Sequence, residues 1–158
     1  MAAHRVLHAF RSWRGGRRLP VARAGAGVVG ALLVVFGVAG LLSGGVDGFA
    51  GTRGVTVAGL GTNGLLGAVC LCAGLVLLMG AALGGGDSGR AVATLDLVAG
   101  TAFLVSGFGA LALVGTDLNV LAFRTSNVVA CFAVGAFLVA CGSHGRAPRR
   151  GRHPRRGR

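Results

Sequence analysis

Asp96 stands alone in an apolar run, VATLDLVAG at residues 92–100, in a chain of 158 residues that has only four acidic groups and a net charge of +12. A carboxyl in such a setting is either a protonatable device or a paired strut. At helical spacing Asp96, Gly100, Phe103 and Gly107 share one face, which turns Asp96 toward other helices rather than toward lipid. On insertion scales a charged Asp at the centre of a span costs roughly 2.5–3.5 kcal/mol, and less near an interface. Two uses follow. As a device, Asp96 would couple proton movement to transport. As a strut, it would pair with Arg23 or Arg90 or bond to Thr94, and its depth, one to two turns from a helix end, favours this second use.

The other chemistry-bearing residues are few. Cys70, Cys72, Cys131 and Cys141 all fall inside apolar blocks. C-x-C is not the C-x-x-C of thiol oxidoreductases, and no Cys lies in a loop beside a charge that would activate it. Cys70 and Cys131 are expected at similar depth, so a disulfide between them, and with it a thiol redox role, is one alternative. His4, His8, His144 and His153 lie in the terminal segments, away from any thiolate, which argues against a metal site. GGGDSGR (residues 84–90) lacks the lysine and the preceding strand of a phosphate-binding loop. With so few His and Asp residues no catalytic Ser/His/Asp set assembles, and segments outside the apolar blocks are too short for a catalytic domain. The expectation is a protein that is not an enzyme and carries no cofactor.

What must position these residues is a set of membrane spans. The chain is 53% hydrophobic and only 13% charged, against about 25% charged in ordinary soluble domains, and its apolar residues come in blocks. Four blocks, about 24–42, 63–83, 91–114 and 120–142, are expected to cross as helices, the last beginning near Val120 with Arg124 snorkelling outward. The fold class expected is therefore all-α, a four-helix membrane protein. A cleaved secretory signal is disfavoured by the long basic lead, the long apolar stretch and the want of a small-x-small site, and RRLPVA is only a weak twin-arginine look-alike.

Charge sets the threading. Residues 1–23 carry six Arg and no acid, residues 143–158 carry seven Arg and no acid, and the middle has three Arg against four Asp. Every basic residue is Arg and Glu is absent, which reads as a GC-rich coding bias rather than a choice of Arg for its geometry. The positive-inside rule places both basic ends in the cytoplasm, which requires an even number of spans. In HRVLHAFRSWR, Val6, Phe10 and Trp13 form a short apolar stripe suited to the inner leaflet. GRAPRRGRHPRRGR has no apolar face and is expected to be disordered. Arg11, Arg14, Arg17, Arg18, Arg149, Arg150, Arg155 and Arg156 are the candidate contacts to anionic lipid, each worth about 1 kcal/mol near an anionic leaflet. Nucleic acid would bind such tails only non-specifically.

Spacing within the spans suggests a doubled hairpin. Cys70 precedes Gly74 by four residues as Cys131 precedes Gly135, and an Asn (Asn63, Asn127) leads into each of these helices. Each span also holds two glycines seven apart, Gly30/Gly37, Gly67/Gly74, Gly100/Gly107 and Gly135/Gly142, a spacing suited to close helix packing.

Residues 21–142, through GVVGALLVVFGVAGLLSG, LGTNGLLGAVCLCAGL, LDLVAGTAFLVSGFGAL and NVLAFRTSNVVACFAVGAFLV, resemble a family of small four-helix integral membrane proteins of high-GC Gram-positive bacteria known only as a domain of unknown function. The resemblance implies the four-helix architecture and a bacterial cell membrane, and no activity. Such proteins commonly have His where this chain has Cys70 and Cys131, so metal or haem ligation there does not carry over. The leading expectation is a non-enzymatic membrane protein that assembles with itself or a partner and binds anionic lipid. The rival is a small proton-coupled transporter or channel subunit built on Asp96.

Overall fold

Long apolar stretches broken by Gly- and Asn-rich turns give helices, because in hydrocarbon the backbone must bond to itself. The computed structural model describes residues 21–44, 49–50, 54–84 and 89–146, and four helices make up most of that backbone. They are α1 (Val21–Gly44), α2 (Gly64–Leu83), α3 (Gly89–Leu113) and α4 (Thr125–Arg146). At 1.5 Å per residue even the shortest, 20 residues long, reaches about 30 Å, the thickness of a bilayer's hydrocarbon core. All four are long and apolar enough to cross, and the protein is an all-α, multi-pass membrane protein.

Bulky Leu32, Val35, Met79, Val105 and Phe108 face outward, while the interior combines Leu77 and Leu138 with small residues such as Ala22, Ala26 and Ala93. Small interior residues let helix backbones approach, which is the available source of packing energy where lipid is as apolar as the protein.

That approach is closest within two antiparallel pairs, α1 with α2 and α3 with α4. A Cβ on Gly30 would stand 2.9 Å from the Gly74 carbonyl oxygen, and one on Gly74 would stand 2.7 Å from that of Gly30. In the second pair, Gly100 and Gly135 face each other's carbonyl oxygens at 2.8 Å in the same way. The flanking residues correspond too: Val34 packs on Gly74 as Leu104 packs on Gly135, and Leu78 on Gly30 as Val139 on Gly100. Gly37 and Gly67 meet each other's backbone, Gly107 meets the Phe132 ring, and Gly142 lies against Ala93 and Leu97. The molecule is thus two similar hairpins, and all eight paired glycines lie in contacts within the chain.

The hairpins run in the same sense, so Val21, Leu83, Gly89 and Arg146 gather at one end, called here the terminal end. The connections 49–63 and 114–124 lie at the other, the loop end. The hairpins touch mainly through α1 against α3 and α4.

Two features of the loop end depart from expectation. First, the segment after α1 contains a small antiparallel hairpin, β1 (Val55–Val57) and β2 (Leu60–Thr62), with Val57 opposite Leu60. Its two-residue turn, Ala58–Gly59, has positive φ at both positions, 50° and 83°, as tight β-hairpin turns favour. Second, α4 starts at Thr125 and not near Val120. Gly115, at φ 83°, ends α3, and residues 116–122 then fold into successive turns. The Asn119 side chain accepts from the Phe123 amide and donates to the Phe123 carbonyl, both at 2.8 Å. Ala122 is held at φ 51°, which no helix tolerates, so the helix cannot begin earlier.

At the terminal end α4 runs on to Arg146, so residues 143–146 are its last turn rather than part of a disordered tail. Ser143 and His144 are bonded there to the Val139 and Ala140 carbonyls. The amphipathic stretch near Trp13 and Arg11, Arg14, Arg17, Arg18, Arg149, Arg150, Arg155 and Arg156 lie outside the described residues.

Candidate functional site

Asp96 sits two turns into α3 from Gly89, on the face that also carries the buried Gly100 and Gly107. It is 0% exposed. Gly25 of α1 makes the room: a Cβ there would be 3.6 Å from Asp96 Oδ2 and 2.7 Å from Cys141 Sγ. The carboxyl therefore lies where α1, α3 and α4 meet, beside the Cys141 thiol.

None of the three expected partners reaches it. Arg23 Nε donates instead to the Ala81 carbonyl at 2.8 Å, supplying a partner to one of the last carbonyls of α2. Arg90 is exposed, and Thr94 Oγ1 donates to the Arg90 carbonyl. Both Asp96 oxygens are without a hydrogen bond among the described residues. A buried carboxyl in that state carries the full cost of lost hydration. The strut reading, as drawn from sequence, has no partner there to rest on. The span hydroxyls of Thr94 and Thr101 lie on the exposed surface and donate to their own helix, so they extend no polar path from Asp96 through the bundle.

Between the hairpins, in the half nearer the loop end, lies a cavity of about 590 Å³. All four helices line it, and Val57, Leu60, Leu121 and Phe123 roof it. Cys70 and Cys131 face into it as free thiols, and Cys141, also free, is not part of its lining. The two are therefore brought to one site without being joined. Cys72, also free, is on the exposed surface. Among the described residues no charged side chain lines this space. Sequence reasoning did not find it, because it arises from the gap between hairpins and leaves no local pattern. Among the described residues no three His, Cys, Asp or Glu side chains come together as a metal site.

At the loop end, with Asn127 on the cavity wall, a buried polar clasp ties the two hairpins. Asn127 Oδ1 accepts from the Gly61 amide at 2.8 Å, and its Nδ2 donates to the Gly61 carbonyl at 2.7 Å. Asn63 caps α2, accepting from the Leu66 amide, and its Nδ2 donates to the Val120 carbonyl at 2.8 Å. Ser126 Oγ adds a bond to the Gly59 carbonyl. The two asparagines differ in role: Asn63 is a helix cap, whereas Asn127, the third residue of α4, is a strand-like partner for β2.

The chain matches no family model, no curated protein and no solved structure.

Proposed function

We propose that the protein is a non-enzymatic component of a bacterial cell membrane, with both ends in the cytoplasm, that works by binding anionic lipid and assembling with itself or a membrane partner. One observation carries this reading. The bundle brings the start of α1 beside the end of α4, where Gly145 lies against Ala22, and this supports putting the six arginines of residues 1–23 and the seven of 143–158 at one membrane face. Such a concentration of Arg favours the cytoplasmic side, and near an anionic leaflet each charge adds about 1 kcal/mol. The resemblance to small four-helix proteins of high-GC Gram-positive bacteria supports the same membrane. Because the paired glycines are occupied within each hairpin, assembly would use the bulky outward surfaces and the tails.

The test compares the full-length protein with a variant in which Arg11, Arg14, Arg17, Arg18, Arg149, Arg150, Arg155 and Arg156 are Gln. In vesicles of mixed neutral and anionic lipid, the native chain should enrich anionic lipid around itself, and added salt should weaken that enrichment. Equal enrichment by the two proteins would overturn the proposal.

A second reading rests on Asp96 alone. Its buried carboxyl, without a hydrogen bond among the described residues, is what a proton-coupled transporter or channel subunit would keep in a span. Proton-driven flux in vesicles, abolished by Asp96→Asn, supports that reading, and its absence in the wild type removes it.

A further inference from the structure

The cavity between the hairpins has a combination of properties that selects an occupant. It is wide enough for a ligand, since binding pockets span roughly 300–1,000 Å³ and this one is about 590 Å³. Its sides open toward the bilayer past Leu32 and Val35 of α1 and Val69 of α2, which are 64%, 68% and 52% exposed. Val57, Leu60, Leu121 and Phe123 cover its top, beside the Asn127–Gly61 clasp. The open sides favour entry from hydrocarbon.

The lining decides the head group. A phosphate or an ammonium inside would be buried without a countercharge, which costs several kcal/mol. The polar atoms available are the Ser106 hydroxyl, for which no hydrogen bond forms among the described residues, the two thiols of Cys70 and Cys131, and the Asn127 amide, whose oxygen and one of whose two N–H donors are engaged by Gly61. That set satisfies one small uncharged hydrogen-bonding group. We infer that the cavity is a binding site for a neutral single-chain lipid, entering laterally from the bilayer, with its small polar head directed to Ser106 and the paired cysteines.

The inference is independent of the basic tails and of Asp96. Its test uses the full-length protein in phosphatidylcholine vesicles with a photoreactive hexadecanol as the probe. Adducts should concentrate on the Cys70–Ala73 and Ala130–Val134 stretches, in preference to the outward Leu75–Met79 surface. Excess hexadecanol should displace the probe and hexadecyl phosphate should not. Ala130→Trp, which fills the cavity, should lose these adducts, whereas Val129→Trp, on the adjacent lipid-facing position, should keep them. If Ala130→Trp does not fold, Ala73→Leu serves the same purpose. Adducts spread evenly over outward residues, equal competition by hexadecyl phosphate, or full labelling of a folded cavity-filled variant would each overturn the proposal.

Discussion

At the scale of the residue, Asp96 is the position where two readings make different demands. Its inward orientation is legible in the sequence, because the spacing to Gly100 and Gly107 fixes the face. Its lack of a partner is not legible, because that depends on where Arg23 goes, and Arg23 goes to a helix end on a different hairpin arm. Asp96→Asn preserves volume and removes no hydrogen bond found among the described residues. The variant is expected to unfold in detergent at or above the wild-type midpoint, as followed by circular dichroism. A loss of several kcal/mol would instead reveal an ionised partner and would restore the strut reading. The two cysteines teach the complementary lesson: matching Cys70–Gly74 and Cys131–Gly135 spacings put both thiols at one depth, yet only the tertiary fold shows them facing a shared cavity.

At the scale of the element, the glycine pairs make the sharpest prediction. Gly74→Ala and Gly135→Ala each press a methyl to within 2.7–2.8 Å of a facing carbonyl oxygen on a backbone that cannot yield locally. Overpacking of this kind costs about 1–3 kcal/mol, and both variants should melt lower than wild type. Gly109, also in a helix, has open space around its Cα, so Gly109→Ala should be neutral or stabilising by up to about 1 kcal/mol. Thermal unfolding in one detergent separates the three.

The loop end was the least readable part of the chain. LNVLAF at residues 118–123 is apolar enough to extend a span, but the side-chain bonds of Asn119, the backbone turn bonds around it and the positive φ of Ala122 make it a loop. VTVAGLGT reads as a Gly-rich connection, since Ala-Gly is a weak turn signal beside Asn-Gly; pairing to Asn127 is what gives the strand its place. Asn127→Ala strands both backbone groups of Gly61, at about 1–3 kcal/mol for each group left unpaired. Amide exchange at Gly61 should rise sharply, with α1 and α2 less affected.

At the scale of the molecule, cohesion is uneven. Each hairpin is closely packed along its length, while the two are joined by contacts near the terminal end and by the clasp at the loop end, with the cavity between. Such units are expected to behave as separate cooperative parts. Co-expressed halves divided between Gly84 and Gly89 should copurify, and Asn127→Ala should weaken their association more than it weakens either half. Tags placed at the two ends of the intact chain should report the same side of the membrane.

The repeat of the hairpin has one further consequence. Ala26 precedes Gly30 by the four residues that separate Asp96 from Gly100, and both are 0% exposed. The first hairpin therefore displays the same local architecture with the acid left out, folded and closely packed under identical conditions. Each chain carries an internal control for its own carboxylate: a difference in hydration, exchange or motion between the surroundings of Ala26 and those of Asp96 is a candidate effect of the acid, to be checked against Asp96→Asn, which leaves every other difference between the hairpins in place.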